Sequence, residues 1–177
     1  MTENNIISPE WFPISNEDLG PGNETGITIR NIPLFSKLKQ RDWSEISSFF
    51  HERHYKTNET IFEYGTPGLG MYIVMSGSVK IIGPPSDEEL VFAELHAGDF
   101  FGEMSLIDFI ERSATAVARE ETVLVGIFRP QLEKLLKRRP KLGILIISRL
   151  AKIISHRLRQ TNLLLREYKI HSRVRSE

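Results

Sequence analysis

Gly98-Asp-Phe-Phe-Gly-Glu-Met-Ser-Leu-Ile-Asp-Phe-Ile-Glu-Arg-Ser-Ala-Thr115 places a carboxylate, Glu103, directly behind a glycine, and nine residues later an arginine, Arg112, followed by two small residues. These residue types suit a ligand carrying both a hydroxyl and a phosphate. A guanidinium is always charged and presents a planar fork of donors that fits two phosphate oxygens. Small neighbours, Ser113 and Ala114, let backbone amides approach the same group, and Ser113 adds a hydroxyl donor. Ionised, Glu103 accepts from a hydroxyl. Gly102, without a Cβ, lets the chain run close to a ligand. Taken alone, Glu103 and Arg112 could equally form an exposed ion pair on a loop, which would contribute little.

On either side of this stretch the pattern is one of short strands. Thr60–Tyr64, Met71–Met75, Ser78–Ile82, Leu90–Leu95, Ala114–Ala118 and Thr122–Phe128 read as strands. Gly65-Thr-Pro-Gly68, Ser76-Gly77, Gly83-Pro-Pro and Ala97-Gly-Asp99 read as the turns between them, which predicts a small closed β-structure over about 55–128. Beyond Arg129-Pro130 the period becomes helical: a short helix over Gln131–Arg138, a break or restart at Pro140, and a last helix from about Lys141 to at least Tyr168. Before the strands, Asn31 to Ile46 carries apolar residues at helical spacing, and Arg41 to Phe50 reads as a helix whose exposed end holds His51 and His54. Two histidines could begin a metal site, but no third ligand stands in register. Met1 to about Thr28, rich in Asn, Glu, Ser, Gly and Pro, reads as a flexible N-terminal arm; Trp11-Phe12 is the exception, two aromatics expected to fold back onto a surface.

Phe101-Gly102-Glu103-Met104-Ser105-Leu106 followed by Arg112-Ser113-Ala114-Thr115 resembles the phosphate-binding cassette of cyclic nucleotide-binding domains, whose core reads F-G-E-[LM]-[AGS]-L and then R-[AST]-A. Gly65, Tyr72-Ile73 and Gly77 match the same family's glycine framework, and Leu34-Phe35 with Leu38 its helical entry. The resemblance implies an α+β fold: a β-roll (a double-stranded β-helix, jelly-roll-like) with N-terminal helices and a long C-terminal dimerisation helix. It divides the chain into an arm over 1–28, a nucleotide-binding domain over 29–168 and a basic tail over 169–177. It assigns the cyclic phosphate to Arg112, the ribose 2′-hydroxyl to Glu103, and the rest of the cradle to Gly102, Met104, Ser105, Ser113 and Ala114. One departure is visible: Asp108-Phe-Ile-Glu111 stands where many members place Gly or Pro. Phe109 and Ile110 are expected either to pack inward or, if exposed, to form a contact patch.

Within the last helix Ile147, Ala151, Ile154, Leu158, Thr161, Leu165 and Tyr168 follow alternating steps of four and three, a coiled-coil seam. That stripe could pack on its own roll. A second stripe, Leu142, Ile146, Leu150 and Ile153, can serve the roll instead, which leaves the seam for a second copy in a homodimer. The helix also resembles the dimer helix of bacterial catabolite activators. By that resemblance Arg157 pairs with Glu103, Thr161 meets the base, and Asn162 reaches the base held by the other subunit. Ser113 accompanies either cAMP or cGMP in the family, and Thr161-Asn162 leans towards adenine, so cAMP is the expected ligand and cGMP the alternative.

Composition bounds the remaining choices. The 177 residues contain no cysteine, which excludes disulfides and thiolate metal sites. No leader pattern is visible, and the longest apolar run, Leu142–Ile147, is far too short for a membrane span, so a cytoplasmic protein is expected. The zero net charge conceals an asymmetry: from Arg129 onward 14 Lys and Arg face 3 Asp and Glu, leaving 9 basic and 20 acidic residues before it. These basic charges either offset the acidic body or attract an acidic partner or nucleic acid. Specific nucleic-acid readout is not expected, because no zinc pattern or recognition helix accompanies them. No nucleophile–base arrangement or P-loop stands out, and His96, His156 and His171 are isolated, so an enzyme is not expected. No helix-turn-helix pattern follows the last helix. The expectation is therefore a stand-alone receptor, without a cofactor, that signals to a separate effector protein.

Overall fold

The computed structural model describes the backbone of residues 10–174 and the side chains of residues 10–166. Its chain order is β1 (Phe12–Pro13), α1 (Glu24–Asn31), α2 (Gln40–Ser47), β2 (His51–Tyr55), β3 (Thr60–Phe62), β4 (Gly70–Ser76), β5 (Ser78–Ile82), β6 (Val91–His96), β7 (Phe100–Phe101), a 3₁₀ turn (Glu103–Leu106), β8 (Thr115–Ala118), β9 (Thr122–Phe128), α3 (Arg129–Arg138) and α4 (Pro140–Val174). Two antiparallel sheets, ordered β1-β2-β9-β4-β7 and β3-β8-β5-β6, make the β-roll. The strands expected at Ser78–Ile82 and Thr122–Phe128 form with those bounds.

β4 and β9 are buried on both faces, which is why they read as continuous apolar runs rather than alternating ones. From β4, Tyr72 and Val74 point into the roll, while Met71 and Ile73 point outward to a second core shared with the helices. β9 splits the same way: Leu124 and Phe128 face in, and Val125 and Ile127 face the helices. On α4, Leu142, Ile146 and Leu150 are buried in that helical core and Ile153 packs against it, as the second stripe anticipates. This anchors the start of α4 beside the roll and aims the rest of the helix across the cassette. Among the described residues no helix is long and apolar enough to cross a membrane, and no three His, Cys, Asp or Glu side chains are grouped to hold a metal.

Four expectations need correction. Residues 10–28 are docked, not a flexible arm: β1 pairs with β2, Trp11 and Leu19 are buried, and Asn23 caps α1 by accepting from the Thr25 amide at 3.0 Å. Residues 1–9 of that arm lie outside the described residues. His51 and His54 lie on a strand rather than a helix end, because the ladder from His51↔Gly126 to Tyr55↔Thr122 overrides the local helical pattern and starts the roll earlier. Of the apolar residues from Asn31 to Ile46, Ile32, Leu34, Phe35 and Leu38 lie in the turns between α1 and α2, and only Trp43 and Ile46 lie on a helix, α2. Finally, Ile147 and Ile154 of the expected seam are partly buried against the molecule's own core. They sit one residue beyond Ile146 and Ile153, so a broad apolar face on α4 takes both pairs. Ala151, Leu158, Thr161 and Leu165 are exposed, whereas the Tyr168 side chain and the side chains of the basic tail lie outside the described residues.

Candidate functional site

The cassette runs from β7 through the 3₁₀ turn to the start of β8. Gly102 makes the corner between β7 and the turn, with φ at 72°, the left-handed region glycine enters without a steric penalty. A Cβ there would lie 2.6 Å from Arg112 Nη1, so the position must also be bare for the arginine to pass.

Arg112 is held by its backbone from both sides: its amide donates to Thr66 at 2.8 Å and its carbonyl accepts from Gly65 at 2.9 Å. The side chain is 5% exposed. Nη1 donates to the Ser105 hydroxyl at 2.9 Å and to the Gly102 carbonyl at 3.4 Å; Nη2 donates to the Gly70 carbonyl at 2.9 Å and to the Tyr72 hydroxyl at 3.3 Å. The guanidinium also lies 4.0 Å over the Phe62 ring. All of these acceptors are neutral. Among the described residues Arg112 makes no ion pair, and its buried Nε has no partner. Burial pushes the Arg112 guanidinium down from its ordinary value, while Tyr72 and then Glu103 act in the opposite direction. A buried cation without a counter-ion is unfavourable, and an anion bound beside it relieves that penalty.

Glu103 is equally buried, at 5%. Its carboxylate accepts from Arg157 Nη1 at 2.8 Å, and Arg157 Nη2 donates to the Phe100 carbonyl at 2.8 Å. Arg157 thus ties α4 to the cassette, as the resemblance implies. Thr161 donates its hydroxyl back to the Arg157 carbonyl at 3.1 Å. Ser105 lies inside the site as the Arg112 acceptor, Ser113 and Ala114 line it, and Met104 stands exposed at its edge.

These groups surround a cavity of about 540 Å³, within the roughly 300–1,000 Å³ usual for small-molecule sites. Ile81, Ala93 and Leu95 supply apolar wall from β5 and β6, and Arg157, Gln160, Thr161 and Leu164 close it from α4. The sequence reading missed Gln160 and Leu164, yet both follow from Arg157 by helical period, at three and seven residues on. Asn162 does not line the cavity and is exposed. Five residues beyond Arg157 it sits well round the helix, on another face. Phe109 does not pack inward: it is 73% exposed, with the Arg129 guanidinium 4.9 Å over its ring, and Ile110 is exposed at the cavity edge.

Residues 52–139 match the family model described as "Cyclic nucleotide-binding domain". The chain is 37% identical over 136 residues to the Cyclic AMP receptor protein of Thermus thermophilus, covering 76% of this chain and 61% of that protein. The crystal structure of the Thermus thermophilus Catabolite Activator Protein superposes with a TM-score of 0.66 at 38% identity, covering 75% of this chain and 61% of that one. A cyclic nucleotide-binding domain from Methylobacillus flagellatus superposes with a TM-score of 0.68 at 28% identity, covering 77% of this chain and 78% of that one. The chain thus spans 61% of the length of the Thermus receptor, less than two thirds.

Proposed function

Because this chain belongs to the cyclic nucleotide-binding domain family, we propose that it is a cyclic-nucleotide receptor, with cAMP the favoured ligand, that passes occupancy through α4 to a separate protein. The observation that carries this reading is Arg112. It is a buried, fully charged fork with neutral acceptors and one free donor, facing a cavity of nucleotide size. A cyclic phosphodiester carries one negative charge and supplies the missing counter-ion. In this reading Glu103 takes the ribose 2′-hydroxyl, and Arg157 orients that carboxylate through its 2.8 Å hydrogen bond. Thr161 and Gln160 offer hydrogen-bonding groups at the end of the cavity where a base would lie. The hydroxyl at Thr161 suits an adenine edge, and similarity to the Cyclic AMP receptor protein of Thermus thermophilus gives cAMP the same support. The protein is read as a cytoplasmic binder with no catalytic role.

The exposed apolar face of α4 supports a homodimer: Leu158 is 60% exposed, and Leu165 lies on the same stripe. The seam in this reading comprises Ala151, Leu158, Thr161 and Leu165, the exposed members of the stripe, because Ile147 and Ile154 pack against the molecule's own core.

Isothermal calorimetry with cAMP and cGMP tests the receptor reading. The expected result is saturable binding of both, tighter for cAMP; folded protein that binds neither at millimolar concentration overturns it. Gly102→Ala should lower affinity tenfold or more and reduce Tm, because the new methyl displaces Arg112 Nη1 and the positive φ strains the turn. Parallel calorimetry and thermal melts check both effects.

A further inference from the structure

The N-terminal strand reaches the interior of the roll. Phe12 pairs with Glu52 and Pro13 with His51, while the Glu10 carboxylate accepts from Arg53 at 2.7 Å. Between these ties Trp11 turns inward. Its indole lies nearly parallel to the Tyr72 ring, with centroids 5.4 Å apart and an interplanar angle of 16°, and it meets Phe128 edge-on at 5.2 Å. Room for it comes from Gly126, which stands opposite Tyr72 in the β4–β9 ladder; a Cβ there would lie 2.8 Å from the indole. The column continues past Tyr72. Its ring stacks on Phe62 at 5.8 Å, its hydroxyl accepts from Arg112 Nη2, and Phe62 underlies the same guanidinium. Trp11 is therefore one ring removed from the arginine that faces the cavity.

We propose that Trp11 is a positioning residue for ligand binding: by holding the Tyr72 ring from behind, it fixes the hydroxyl that orients the Arg112 fork towards the bound phosphate. The inference rests on the reading of Arg112 as the phosphate partner. Packing supplies the physical ground. A buried ring backed by an indole has one orientation, whereas the same ring over a void loses contacts on that face and gains rotamer freedom. Tyr72 also suits the role electrostatically. Burial pushes its phenol up, against the opposing pull of Arg112, so it remains a neutral acceptor that orients the cation without neutralising it. The positive charge is left for the ligand.

The test compares Trp11→Ala, Trp11→Phe, Gly126→Ala and Tyr72→Phe, each confirmed folded by circular dichroism, for cAMP affinity by calorimetry. Trp11→Ala and Gly126→Ala are expected to weaken binding about tenfold or more, and Trp11→Phe to recover most of it by keeping a ring against Tyr72. Trp11→Ala should add nothing further in a Tyr72→Phe background. If Trp11 only fills the core, Tm falls but affinity stays at the wild-type value, or the two losses add; either outcome overturns the inference. With Trp43→Phe leaving Trp11 as the sole tryptophan, saturating cAMP is expected to shift its fluorescence, and an unchanged spectrum counts against the coupling. If the wild type binds neither cAMP nor cGMP, the receptor reading fails by itself. The Arg112 Nε–H resonance then decides the positioning claim: it moves between wild type and Trp11→Ala if Trp11 orients the arginine, and is unchanged if not.

Discussion

Arg112→Ala is expected to reduce cyclic-nucleotide affinity by about 3 kcal/mol or more, roughly a hundredfold and upward. The loss exceeds that of an exposed ion pair because the arginine is buried and its other partners are neutral. Without it, the other cation lining the cavity, Arg157, is already paired with Glu103 and leaves the phosphate without a charged partner. Arg112→Lys should recover little, because an ammonium cannot hold the Gly70 and Ser105 acceptors and two phosphate oxygens with one planar fork. Calorimetry measures the affinity, and ligand-dependent Tm supplies a second readout: cAMP should raise the wild-type Tm and leave both variants unmoved. Near-normal affinity in Arg112→Ala refutes the assignment of the phosphate to this residue.

Leu158→Glu carries the second large effect. In a symmetric dimer the substitution places two carboxylates in the apolar seam, at a cost of several kcal/mol, so dimer dissociation should strengthen by roughly a hundredfold or more. Leu158 does not line the cavity, so the change separates assembly from binding. Light scattering should show a dimer for the wild type and a monomer for the variant, with cAMP still bound. A mass that does not change shows that the exposed stripe on α4 is not the seam.

What the sequence disclosed follows from how local the cause is. Gly102, Glu103 and Arg112 were legible as a group because they stand at fixed offsets within one short stretch, which the fold brings to a single cavity. Arg157 stands 54 residues from Glu103 and was reached only through resemblance. Tyr72, 40 residues from Arg112, carried no local sign of its role, because a tyrosine inside an apolar strand reads as core whether or not its hydroxyl finds a cation. Gln160 and Leu164 were within reach of helical period alone, whereas Asn162, assigned by resemblance to the base held by a second subunit, stands exposed on another face of the same helix. The docked N-terminus was hidden for another reason. β1 has two residues, too few to display a period of two. Its attachment depends on Gly126, more than a hundred positions later, whose missing side chain makes the space for Trp11.

Arg157 donates the last described hydrogen bonds from α4 to the roll, and the helix continues as one unbroken rod to Val174. At a rise of roughly 1.5 Å per residue the free arm beyond that tie is about 26 Å long, so a pivot of about 10° carries its end through roughly 4–5 Å. In the proposed reading the Glu103–Arg157 pair is the fulcrum of a lever whose long arm is the far end of α4. A rotation too small to register at the fulcrum is geared up at the far end into a stroke longer than a water molecule is wide.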